Sequence, residues 1–131
     1  MRPVFHDFQA HSFVRTAGIV NTASNYGVTG SELRTPYAAS KAGIIAFTKT
    51  MAQELAPDGI LVNTVAPGPT DTPRVMGKES PEARGQRWSG IPLGRTAEPE
   101  EIAETFYFLA SAESAWITGQ TFHVNGGVVM P

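Results

Sequence analysis

Residues 36–66 read PYAASKAGIIAFTKTMAQELAPDGILVNTVA, and the fold follows from this stretch. Pro36 suits a first helical turn, and the Ala-rich run from Tyr37 to Ala56 has no interior proline. Ile44, Ile45, Phe47, Thr48, Met51 and Leu55 recur along it at helical spacing, which predicts a helix. Pro57, Asp58 and Gly59 end that helix, and the nearly continuous apolar run of residues 60–65 predicts a strand covered on both faces. Working outward, residues 18–24 (GIVNTAS) read as a second buried strand opening into a polar loop that continues through residues 28–35. Downstream, residues 70–96 shift to Pro, Gly, Arg and Ser, an irregular excursion longer than an ordinary connection. Pro99, Glu100 and Glu101 mark a helix start, with Ile102, Phe106 and Leu109, joined by Ala103 and Ala110, as its buried stripe. A third strand covers residues 121–124 and stops at Asn125, Gly126 and Gly127. Strand, helix, strand, excursion, helix, strand predicts an α/β fold with a parallel sheet and right-handed crossovers.

Composition narrows the functions open to such a sheet. The 131 residues, 41% hydrophobic and 17% charged, suit one globular domain. A net charge of -2 provides no basic field for nucleic acid or an anionic membrane, so neither is expected as a partner. There is no cysteine, which excludes disulfides and thiolate chemistry. No apolar run is long enough to span a bilayer, so a soluble, cytoplasmic protein is expected.

Tyr37 and Lys41 are four apart on the predicted helix, so they emerge on one face with a rise of roughly 6 Å between them. An ammonium ion beside a phenol favours the phenolate and makes the phenol a usable proton donor and acceptor. The same four-residue spacing also describes an ordinary amphipathic helix face. Ser24 follows the first strand at its C-terminal end, the rim where open α/β sheets place ligands, and its hydroxyl could hold a carbonyl oxygen. By itself it is equally a turn serine. Pro67, Gly68, Thr70 and Thr72 leave the next strand on the same rim and read either as a ligand-contacting loop or as a Pro/Gly turn. His6, His11 and His123 lack an acidic residue at ligand spacing, so no metal site is expected. Trp88 and Trp116 are expected to pack, and Glu79, Glu82, Arg84 and Arg87 to form a solvated loop.

Taken in order, residues 18–24 (GIVNTAS), 37–43 (YAASKAG) and 59–72 (GILVNTVAPGPTDT) resemble segments of the short-chain dehydrogenase/reductase family. So do residues 92–95 (PLGR), 99–103 (PEEIA), 108–111 (FLAS) and 117–127 (ITGQTFHVNGG). The resemblance implies Ser24 to polarise a substrate carbonyl and Tyr37 as general acid/base. It implies Lys41 to favour the ionised form of Tyr37 and to bond the nicotinamide ribose. The turn at Pro67 and Gly68, with Thr70 and Thr72, would contact the nicotinamide end of NAD or NADP. The reaction implied is hydride transfer between that cofactor and a small-molecule carbonyl or alcohol, in a homo-oligomer, dimer or tetramer.

The family also carries a Gly-rich turn that seats the pyrophosphate and an Asn-Asn-Ala-Gly segment, and neither occurs in these residues. The expectation is therefore a partial Rossmann-like parallel sheet, its last three strands with flanking helices, whose N-terminal dinucleotide-binding half is absent. Residues 1–17 form an unassigned leader, and residues 18–131 the C-terminal half of the domain. Two readings stay open: an oxidoreductase, and a truncated non-catalytic fragment acting at most as a self-association module.

Overall fold

The structure, a computed structural model, describes residues 17–77 and 80–131. The side chains of Arg74, Arg84, Arg87 and Trp88 lie outside that description, as do Glu79 and residues 1–16, with His6 and His11 among them. Three strands, β1 (Ala17–Thr22), β2 (Ile60–Pro67) and β3 (Thr121–Val124), pair in parallel in the order β1-β2-β3. Asn21 stands opposite Thr64, and Thr64 opposite Thr121. Parallel strands need long crossovers, and the two here are helical. α1 (Tyr26–Thr29) and α2 (Thr35–Leu55) join β1 to β2, while α3 (Pro73–Met76), α4 (Pro81–Trp88) and α5 (Pro99–Ala110) lie between β2 and β3.

Alternation along the strands assigns the helices to faces. Asn21 Nδ2 donates to Thr48 Oγ1 at 3.0 Å, so the Asn21 row faces α2. Val20 and Val65 belong to the other row and pack with Ile102 and Leu109 of α5, together with Phe122 and Val124. Leu109 is 1% exposed, and its burial contributes roughly 2 kcal/mol. The two connections advance in one direction across the sheet on opposite faces, so they have opposite hands and cannot both be right-handed. The handedness rule describes a compact strand-helix-strand unit. The β2-to-β3 connection first crosses the rim for some thirty residues, which frees α5 to take either face.

Other expectations also change. The supposed irregular excursion contains α3 and α4, the latter opened by Ser80 Oγ, which accepts from the Ala83 N–H at 3.2 Å, and by Pro81 in the first turn. Glu82 lies in α4 rather than in a loop. Residues 26–29 are helical rather than loop. The β1 strand is not buried: residues 17–19 are exposed, because among the described residues only β2 lies beside it. On α5 the buried stripe is narrower than predicted, with Ala103 and Ala110 exposed. Phe47 is 54% exposed, and Trp116, expected to pack, is 91% exposed. Among the described residues no helix is long and apolar enough to cross a membrane.

Candidate active site

The C-terminal ends of parallel strands lie along one edge of a sheet, and three loops meet there. Ser24 follows β1 and is buried; its Oγ accepts from the Tyr26 N–H at 3.3 Å. Tyr26 opens α1, whose close approach to α2 requires a residue without a side chain. A Cβ on Gly27 would stand 2.7 Å from the Lys41 carbonyl carbon. That contact sets the Tyr26 ring edge-on to Tyr37, with centroids 6.4 Å apart and planes at 77°. The Arg34 guanidinium covers Tyr26 at 5.5 Å from its centroid.

Tyr37 lies in the first turn of α2 and is 44% exposed. Lys41, one turn on, holds its ammonium 5.7 Å from the Tyr37 ring centroid and donates from Nζ to the Thr22 carbonyl at 2.9 Å. Thr22 is two residues before Ser24. Lys41 therefore ties Tyr37 to the end of β1, while Ser24 reaches Tyr37 through Tyr26. The spacing of Tyr37 and Lys41 thus forms a local cluster with the Ser24 turn.

The loop at residues 67–72 joins this cluster through Asn25, whose N–H donates to the Pro67 carbonyl at 3.2 Å. Gly68 donates its N–H to the Val124 carbonyl at 2.9 Å, and a Cβ there would lie 2.7 Å from Asn125 Cα, so the crossing demands glycine. Thr70 Oγ1 donates to the Gly68 carbonyl at 3.1 Å, which stiffens the turn. Thr72 begins α3, its carbonyl accepting from the Val75 and Met76 N–H groups.

Sequence reasoning missed Asn25 and Asn125. Both are buried, and Asn125 Nδ2 donates to Asn25 Oδ1 at 3.2 Å and to the Val129 carbonyl at 2.8 Å. Asn125 Oδ1 accepts from the Gly127 N–H at 2.9 Å. This amide pair binds the loop after β3 to the turn after β1. No local signal announces a contact across a hundred residues of chain, although an asparagine beside a Gly-Gly pair is itself a turn signal.

His123 points its Nδ1 into a buried position with no partner, and burial lowers its pKa from the usual 6.5. Among the described residues no three His, Asp or Glu side chains group to hold a metal.

A parallel sheet whose rim gathers a serine, a tyrosine-lysine pair and a Pro-Gly loop defines a Rossmann-like α/β protein. A family model described as enoyl-(acyl carrier protein) reductase matches residues 6–129, a span that begins ahead of Gly18. The chain is 48% identical over 118 residues to a 3-oxoacyl-(acyl-carrier-protein) reductase of Vibrio harveyi, covering 88% of this chain and 47% of that relative. The protein of the same description from Thermotoga maritima is 50% identical over 117 residues, again 88% and 47%. A glucose and ribitol dehydrogenase homolog of Oryza sativa subsp. japonica is 43% identical over 112 residues, 86% of this chain and 37% of the relative. The chain belongs to the short-chain dehydrogenase/reductase family. It spans about half the length of the curated relatives it matches.

Proposed function

We propose that this chain carries the proton-transfer side of an NAD(P)-dependent oxidoreductase acting on a carbonyl or alcohol, with a 3-oxoacyl group as the carbonyl compound that the names of its relatives favour. The residues suit the nicotinamide end of the cofactor. Asp71 Oδ1, between Thr70 and Thr72, is buried without a hydrogen-bond partner and offers an acceptor to a carboxamide N–H. Lys41 stands at the end of β1, where it would hold the ribose. No Gly-x-x-x-Gly-x-Gly turn occurs in the chain, so these residues present no such seat for the pyrophosphate. When bound, the nicotinamide gives or takes the hydride.

In this reading the chain's own groups handle the oxygen. The Ser24 hydroxyl donates to the carbonyl oxygen and orients it. Tyr37 passes its phenolic proton to that oxygen as negative charge builds there, and takes the proton back in the reverse direction. Lys41 stabilises the phenolate that remains. The observation carrying the reading is the Lys41 ammonium, 5.7 Å from the Tyr37 ring and anchored at 2.9 Å two residues before Ser24.

Calorimetric titration with NADH and NADPH, followed by turnover of a 3-oxoacyl thioester, tests it. Binding is expected, and Tyr37→Phe is expected to abolish turnover while the melting temperature stays unchanged. Undiminished turnover in that variant would reject Tyr37 as the proton donor, and no binding at millimolar cofactor would reject catalysis by this chain alone.

A specific observation favours self-association as well. Among the described residues the outer edge of β1 pairs with no strand, and Ile19 and Phe47 are exposed. Such an edge is a template for another chain. A homo-oligomer, dimer or tetramer, is the expected light-scattering mass, and a monomer at all concentrations contradicts it.

A further inference from the structure

The loop at residues 67–72 bears the groups assigned to the nicotinamide and is half-buried. An open pocket of about 100 Å³, lined by Pro69, Leu93, Arg95 and Val124 among others, flanks it. Directed bonds also fix the loop's position. Those bonds come from a short segment ahead of α5. Ala97 forms an isolated parallel bridge with Thr70: its N–H donates to the Pro69 carbonyl at 3.0 Å, and its carbonyl accepts from the Asp71 N–H at 2.9 Å.

Ala97 is in turn held by charge. Arg95 meets the Glu101 carboxylate through both terminal nitrogens, Nη1 and Nη2, each at 2.6 Å. Arg95 Nη1 also donates to the Thr96 carbonyl at 3.0 Å, and Glu101 Oε2 accepts from the Glu98 N–H at 2.9 Å. Residues 95–98 are thereby gripped from both ends by the first turn of α5, and the Glu101 carboxylate also favours that positive helix end. Its pKa is held down to about 2, chiefly by the hydrogen bond from Arg95, so the pair stays ionised at neutral pH.

We infer that the Arg95–Glu101 fork is a latch that positions the loop at residues 67–72 through the Ala97 bridge. Arg95 and Glu101 are positioning residues: neither has a role in the proton transfer, and both act through the backbone of Pro69, Thr70 and Asp71. What the loop binds rests on the oxidoreductase reading; the latch does not.

Amide hydrogen exchange on the full chain decides the matter without cofactor. Arg95→Ala is expected to speed exchange at the Asp71 and Ala97 amides by about tenfold, with the amides of β2 unchanged. Arg95→Lys, which keeps the charge and loses the fork, should recover part of the protection. Arg95→Ala combined with Glu101→Ala should be no worse than the poorer single variant, as expected for two residues that act as a unit. Unchanged exchange at Asp71 and Ala97 in Arg95→Ala overturns the latch, and so does a uniform rise over the whole sheet, which marks general destabilisation. NADH titration of the same proteins forms a second arm: weaker binding by Arg95→Ala than by the wild type is expected, and equal binding overturns the latch's bearing on the ligand. A wild-type chain that fails to bind NADH rejects catalysis by this chain alone, while the exchange result still decides the latch.

Discussion

β1 and β2 are spelled almost alike, IVNT at residues 19–22 and LVNTV at residues 61–65, yet they occupy opposite environments. Residues 61–66 are buried without exception, between α2 on one face, α5 on the other and a strand on each side. Ile19 is 39% exposed, in a strand with a single neighbour among the described residues. Their shared β-branched, apolar character expresses a propensity, and the neighbours decide how much of it becomes burial. The contrast extends to the rim. The loops after β2 and β3 are locked into each other by Gly68, Val124 and Asn125, whereas Tyr37 stands open on the side of β1.

The sharpest way to break this contrast is a pair of truncations. At protein concentrations low enough to keep the chain monomeric, Leu109→Ala, in the core beneath β2, is expected to cost about 3 kcal/mol in chemical denaturation, and Ile19→Ala no more than about 1 kcal/mol. Equal costs there would show that β1 is covered by polypeptide outside the described residues. Next in size is Asn125→Ala, which strands Asn25 Oδ1 and the Gly127 N–H in a buried site and should cost about 2 kcal/mol. It should also disturb the amide resonances of Ser24 and Gly68 together; a change confined to the C-terminal loop would mean that the two loops are not coupled.

The smallest effect concerns pH and His123 on β3. Burial lowers its folded pKa below 6.5, so the neutral ring is the folded form. Its contribution to stability is fully present above that value and is lost as pH falls through the lower folded one. His123→Gln should therefore flatten the decline of melting temperature just below pH 6.5, and an unaltered decline would place that sensitivity elsewhere.

How far the sequence was readable follows from the range of the interactions. α2, β2 and β3 each carry a pattern within their own residues, and the rim cluster of Ser24, Tyr37 and Lys41 is local to α2 and the end of β1. α1 and α3 are single turns, too short for any periodicity to show. The amide bond from Asn25 to Asn125 depends on two strands arriving side by side, which neither sequence neighbourhood encodes. The opposite hands of the two connections were hidden for the same reason: the face that α5 takes depends on where the chain returns after crossing the rim. The Arg95–Glu101 fork was closer to legible, since Pro99 followed by Glu101 already marked a helix start to which a nearby cation could bond.

In the proposed reading the rim holds the nicotinamide end of a cofactor, while the described residues contribute little to its adenylate end. That placement is tested most directly by amide chemical-shift titration of the full chain with NADH and, separately, with reduced nicotinamide mononucleotide. Shifts centred on Tyr37, Lys41, Thr70 and Asp71, with similar affinities for the two compounds, are the predicted result. Millimolar titrations that leave those residues unmoved, or NADH binding that depends on its adenylate half, would contradict it.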